Sequence, residues 1–282
     1  MNEVIFLFVL GLLWIIFAVV QDIRKREIAN WLNYSLVIFA LGFRFFWGLF
    51  LGDWNFLLQG LIGFGIFFVL GNLFYYMKMF AGGDAKLMMA LGAVLPFGIS
   101  FSYNLKFFVL FLLLFLVVGA IYGILNSVVF SFINFTKFKQ EFKNQFKKNK
   151  KLILLFTFIA CLFLIWGFYE GILFWLGIFI FVILYFYIYA KSVDEACMIR
   201  KVKPLKLTEG DWLYKDVKVG NKVIKATWDG LTDKDIKLLR KRGREVLIRY
   251  GIQFAPVFLI SFILLGVIYF GGIVEKVFGI IF

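Results

Sequence analysis

The sequence predicts an all-α polytopic membrane protein of about eight transmembrane helices, with a small cytoplasmic α+β module inserted before the last helix. Three observations carry this. Of 282 residues, 63% are hydrophobic and 40 are phenylalanine, more apolar surface than a soluble domain of this size can hide. Apolar runs of about 17–25 residues, the length that spans a bilayer, recur along the chain. The cations collect in loops beside those runs, so the net charge of +14 reads as the positive-inside bias of membrane proteins and not as a nucleic-acid surface.

The first run covers about Val4 to Val20. It is too long for a signal-peptide core and is followed by Gln21-Asp22-Ile23-Arg24-Lys25-Arg26, with no small-residue cleavage site, so it reads as a retained span. The basic triplet Arg24, Lys25, Arg26 assigns that end to the cytoplasm and the N-terminus to the outside. A loop from Glu27 to Asn33 follows, with Trp31 and Tyr34 as interface anchors. Span two, about Tyr34 to Leu51, carries Arg44, which either snorkels or pairs with a polar neighbour, or else meets substrate. Span three, about Phe56 to Tyr76, contains Gly60, Gly63, Gly65 and Gly71, small residues that let helices approach closely. Span four is short, about Ala85 to Phe101, and span five long, about Phe107 to Ile133. The lysine-rich stretch from Thr136 to Lys151 reads as a cytoplasmic loop that touches lipid headgroups. Spans six and seven, about Leu152 to Phe168 and Gly171 to Ala190, form a hairpin turning at Glu170 on the outside.

Lys191 to Gly251 is different in kind. Charges are frequent, and the turn pairs Gly220-Asn221 and Asp229-Gly230 appear. Val217-Lys218-Val219 and Lys222-Val223-Ile224-Lys225 flank the first pair as a short β-hairpin. Thr232-Asp233-Lys234-Asp235 opens a helix to about Lys241, and Glu245 to Arg249 reads as a further strand. The last span covers about Phe254 to Phe270 and leads to an outside tail. The expected domains are therefore a helical core over 1–190, the cytoplasmic module over 191–252, and a closing helix and tail over 253–282.

The chain has no histidine, which excludes Ser-His and Cys-His catalysis and any His-ligated metal. Cys161 falls in a span and Cys197 in the soluble segment, a pattern of neither a disulfide framework nor a zinc site. No metal or other cofactor is expected. A hydrolytic site would have to be built from carboxylates. Asp22 and Asp84 both fall at cytoplasmic ends of spans. Two carboxylates that approach closely cannot both ionise easily, so one keeps a proton and the pair offers an acid and a base. Gly82 and Gly83 would let backbone and substrate pass close to Asp84 and adopt conformations other residues resist. The competing reading makes these ordinary juxtamembrane acids beside a turn. Glu27 is a further cytoplasmic acid, and Asp194, Glu195, Glu209 and Asp211, in the soluble module, look like ordinary surface charge.

Two stretches carry a resemblance. One is Ala81-Gly82-Gly83-Asp84-Ala85-Lys86-Leu87; the other runs from Asp22 through Glu27-Ile28-Ala29-Asn30 to Trp31-Leu32. The first is similar to the Gly-x-Gly-Asp-x-Lys-Leu motif of the type IV prepilin peptidase and preflagellin peptidase family of membrane aspartyl proteases. The second resembles that family's earlier aspartate followed by an Ile-Pro-Asn element. Ala81 stands where the first motif glycine is expected, and Ala29 where proline is common. The tetracysteine zinc element of the bacterial type is absent, so its N-methyltransferase activity is not expected; the later layout resembles archaeal members. The resemblance implies an aspartic-type endopeptidase that removes short basic leader peptides from prepilin-like or preflagellin (archaellin) precursors at the cytoplasmic membrane face. Asp22 and Asp84 would be the catalytic dyad, and Gly82, Gly83, Lys86 and Asn30 would shape the site. Its partners would be those precursors and membrane lipid, without nucleic acid.

Two other readings stay open. A presenilin-like intramembrane protease shares the Gly-x-Gly-Asp element, but here Gln21 precedes Asp22 and the last span opens Phe254-Ala255-Pro256-Val257, matching neither companion motif of that family. A non-enzymatic component, a transporter or a scaffold for surface-filament assembly, is the reading from another class. A transporter favours internal repeats, and no clear repeat is visible. A scaffold would keep its function with both aspartates neutralised.

Overall fold

A computed structural model describes residues 2–98, 100–220 and 222–281. In chain order the first helices are α1 (Asn2–Lys25), α2 (Asn30–Leu51), α3 (Trp54–Tyr76), α4 (Gly82–Val94) and α5 (Phe101–Ile133). Then come α6 (Phe135–Lys148), α7 (Lys150–Trp166) and α8 (Gly171–Cys197). Strands β1 (Ile199–Val202), β2 (Trp212–Leu213), β3 (Val217–Val219) and β4 (Lys222–Ile224) precede α9 (Asp233–Arg242), β5 (Val246–Arg249), α10 (Ala255–Phe270) and α11 (Val274–Ile281). The chain divides into two compact units, Met1–Gly123 with Gln253–Phe282, and Ile124–Ile252.

The chain is a multi-pass helical membrane protein, with fewer continuous spans than the sequence suggests. Among the described residues, five helices (α1, α2, α3, α5 and α8) are long and apolar enough to cross a membrane, and up to seven spans result if each bent pair counts as one. The bent pairs are α6 with α7, at 75°, and α10 with α11, at 110°. The expected fourth span is the clearest departure. Helix α4 has 13 residues, about 20 Å of rise, against a hydrocarbon core of about 30 Å. Pro96 and Gly98 end it early, and residues 95–98 are not helical.

Helix α4 lies at the centre of the first unit. Every residue from Leu87 to Val94 except Met89 is buried, together with Ala85, so it is apolar all round below its first turn. It meets α3 backbone to backbone. A Cβ on Gly63 would strike the Gly92 carbonyl oxygen, and one on Gly71 would come within 2.8 Å of the Ala85 carbonyl oxygen. Gly60 instead makes room for the Arg44 side chain, and Gly65 faces open space.

A non-helical segment at membrane depth must have its polar backbone groups satisfied by protein. Two side chains do this here. Arg44, with no exposed surface, donates to the carbonyls of Ala93, Val94 and Pro96 at the end of α4 and to that of Phe56 on α3, at 2.6–3.2 Å. Its guanidinium also stacks 4.3 Å from the Phe56 ring centroid. Of the sequence readings for Arg44, pairing is the one the structure adopts, and three of the four partners are carbonyls at the negative end of the α4 dipole. Asn104, equally buried, accepts from the Gly98 N–H and donates to the Gly98 carbonyl and to Gln59 Oε1.

In the second unit, the stretch expected as a lysine-rich loop is helix α6. Phe135, Phe138, Phe142 and Phe146 recur every three or four residues, so the lysines occupy the remaining face. Phe138 and Phe142 turn inward, against Tyr189 and the Ile153–Leu184–Ile188 cluster. Helices α7 and α8 form the expected hairpin, packed so closely that a Cβ on Gly177 would come within 3.0 Å of the Ala160 carbonyl oxygen. Helix α8 continues past Ala190 to Cys197, so Cys197 is a buried helix end. Beyond it the module forms as read. Antiparallel β1-β5-β2 make one sheet and β3-β4 the hairpin, with Asn221 of the expected turn outside the described residues. Thr232 and Asp235 form a capping box on α9. The acids read as surface charge are tied into this module: Asp194 to Arg249 at 3.1 Å, Glu195 to the Tyr214 hydroxyl at 2.6 Å, and Asp211 and Glu209 to the Thr208 and Asp233 N–H groups.

Candidate active site

Asp84 enters the site through the start of α4. Ala81 is the N-cap, in extended conformation (φ −69°, ψ 160°), so alanine replaces glycine there without strain. Asp84 is then the third helical residue, from which a carboxylate reaches back to the N-cap amide; its side chain accepts the Ala81 N–H. The expectation that Gly82 and Gly83 supply unusual backbone conformations is not met, since neither has positive φ. Gly83 is required by proximity: a Cβ there would lie 3.2 Å from Ile28 Cβ and 3.3 Å from the Ile28 nitrogen. At Gly82 a Cβ would meet only the Tyr75 ring, at 3.9 Å, so the face beside Asp84 is open on that side.

Asp22 lies in the last turns of α1 and is 7% exposed. Its Oδ2 accepts the Ala255 N–H at 3.1 Å, and the Phe254 amide also donates to it. Arg26 lies within charge range. That residue turns the chain out of α1 at φ +58°, with its N–H on the Asp22 carbonyl at 2.8 Å. Asp22 and Asp84 lie within electrostatic reach of each other, so elements far apart in sequence bring the two carboxylates into one field.

The other predicted residues converge on the same place. Lys86 Nζ donates to Asn30 Oδ1 at 2.6 Å, joining α4 to α2. Gln21 Oε1 accepts the Ala29 N–H at 3.0 Å, a bond that a proline at 29 could not make. Two contributors were not anticipated. Asn33, 1% exposed, donates from Nδ2 to the Gly83 carbonyl at 3.3 Å, while its Oδ1 has no hydrogen-bond partner among the described residues. An asparagine one turn beyond Asn30 in an apolar helix was the available signal. The amides at the start of α10 had none, because a backbone N–H leaves no mark on residue type.

Chemically, the site offers two carboxylates on different helices, a cation near one of them, and an approach past Gly82. Such a pair holds one proton more readily than none or two.

Residues 9–124 match the family model described as the type IV leader peptidase family. Among curated proteins, the chain is similar to the preflagellin peptidase of Methanococcus maripaludis (35% identity over 89 residues), that of Methanocaldococcus jannaschii (34%) and that of Methanococcus voltae (29%). Each match covers 32% of this chain and 38% of the relative, so the chain spans well under half the length of these relatives. No solved structure matches. The matched residues carry both aspartates and all four neighbouring motif positions, and over residues 9–124 this chain is similar to the type IV leader peptidase family.

Proposed function

We propose that the protein is a membrane aspartic endopeptidase that removes leader peptides from preflagellin or prepilin-like precursors at the cytoplasmic face. The single observation that carries this is the convergence of Asp22 and Asp84, from α1 and α4, at one end of the first unit. The preflagellin peptidase relatives support the substrate class. The basic Arg24-Lys25-Arg26 triplet beside Asp22 supports the cytoplasmic assignment. The cytoplasmic module over 191–252 and the closing helix complete the domain plan of the same reading.

The reaction needs no group beyond the dyad and water. The ionised aspartate takes a proton from water as its oxygen attacks the scissile carbonyl carbon. The protonated aspartate gives its proton to the carbonyl oxygen, forming a gem-diol. In the second step the first aspartate passes its proton to the amide nitrogen. The other recovers one from a diol hydroxyl as the C–N bond breaks, and the dyad returns with one proton. Lys86, held by Asn30, and Asn33, holding Gly83, keep the first turn of α4 in place.

The test is cleavage by wild-type protein in liposomes, offered a panel of preflagellin and prepilin precursors, with the N-terminus of each product sequenced. A single cut at the junction of leader and apolar segment is expected. No cut in any precursor would overturn the proposal.

A further inference from the structure

We propose that α10 is part of the catalytic apparatus: the amides of Phe254 and Ala255 hold the Asp22 carboxylate as the charged, water-activating member of the dyad, leaving the proton with Asp84. This rests on the dyad reading above and gives each aspartate a role.

Helix α10 starts without a cap of its own. Phe254 stands at its N-cap and makes no side-chain cap bond, and Pro256, at its second position, has no N–H to offer. Asp22, 233 residues earlier, supplies the missing acceptor. An aspartate at a helix N-terminus meets both the unsatisfied N–H groups and the positive end of the dipole. N–H groups donate to a carboxylate without needing anything back, so they favour its charged form.

The groups facing Asp22 from each side agree. From the turn just after its own helix comes Arg26, from α10 come two amides, and from α4 comes Asp84. Among the described residues, Asp84 has one amide donor, Ala81, and no cation among the interactions that act on it. Of two carboxylates sharing one proton, the one with more donors and the nearer cation keeps the charge.

The clamp is also held in register. Helices α1 and α10 run antiparallel and interlock twice below Asp22. Gly11 admits the Phe262 ring, and Gly266 admits the Phe8 ring, which stacks on Phe262 at 4.8 Å. The first turn of α10 reaches the other aspartate's loop as well, with Phe254 and Phe258 packed 6.1 and 6.0 Å from Phe80, just before the Ala81–Asp84 motif. Helix α10 therefore touches Asp22 and, through Phe80, the residue that leads into the Asp84 motif, from outside the family-matched residues.

The experiment removes one hydrogen. Ala255 is replaced by its α-hydroxy acid, lactic acid, which turns the amide into an ester and deletes the donor while keeping the side chain. The control puts the hydroxy analogue of valine at Val257, whose N–H bonds the Phe254 carbonyl and not Asp22. In liposomes the Ala255 ester should lower kcat roughly ten-fold or more, with KM unchanged within about two-fold, and the Val257 ester should not. Were Asp22 the protonated member, losing a donor to its charged form would leave kcat unchanged or raise it; either result overturns the proposal, as does an equal loss in the control. Cleavage is not the only readout. In an Asp84→Asn background, the infrared carboxylate band that a further Asp22→Asn removes should shift with the Ala255 ester, and a band that stays put overturns the clamp. Should wild-type protein cut no precursor, the proposed function fails on that result, and the band decides the clamp on its own.

Discussion

The two ends of α4 are finished by opposite means. At its C-terminal end a cation, Arg44, is wholly buried and its donors are spent on four carbonyls. At its N-terminal end a carboxyl group, Asp84, is partly exposed, accepts one amide of its own helix, and lies within electrostatic reach of a second carboxyl group. Both are ionisable groups at the ends of one helix, and the Arg44 charge complements the dipole at its end. The difference lies in what is left over. Every donor contact of Arg44 serves the fold, whereas Asp84 keeps capacity for a proton, a water and a substrate. A charge whose partners are complete is structure; one with spare capacity at an open end is where chemistry can occur.

The comparison breaks most visibly at the open end. Asp22→Asn should lower cleavage by about a thousand-fold or more with little change in the unfolding midpoint, measured on the same liposome preparation. Arg44→Met should do the reverse. It strands four carbonyls, and buried groups without partners cost about 1–3 kcal/mol each, so the midpoint should drop sharply while any folded fraction still cleaves. A smaller effect is expected midway along α4. Gly63→Leu would press on the Gly92 backbone and Pro96, and overpacking of this kind costs about 1–3 kcal/mol, seen as a lowered midpoint in a denaturant titration. The smallest effects sharpen the account of the motif. Gly83→Ala must push Ile28 aside by a few tenths of an ångström and should cost no more than about 1 kcal/mol. Gly82→Ala, helical and unobstructed, should gain up to about 1 kcal/mol. If Gly82→Ala instead slows cleavage at unchanged stability, the substrate backbone passes over that position.

Much of this was legible from residue order, and the failures have physical causes. Long apolar runs announced α1, α2, α3, α5 and α8, because a span must be apolar over its whole length. The run from Ala85 to Phe101 passed the same test although Pro96 and Gly98 interrupt it; only a breaker-sensitive reading separates a buried half-span from a full one. The α6 lysines masked a phenylalanine period that was present all along. In the site, Asp22 and Asp84 could be named because side-chain type signals their chemistry, and Lys86 and Asn30 because they stand at positions of the family motif. The Arg44 partners, the Gly83 carbonyl that anchors Asn33 and the Ala255 amide are backbone groups. They carry no residue signature and become visible only once the chain has folded.

The most direct test of the central claim is Asp84→Asn, with cleavage and unfolding read from one preparation. The account predicts a protein as stable as wild type that makes no detectable cut in a preflagellin precursor. Retained cleavage, or a loss of stability as large as that of Arg44→Met, would contradict it.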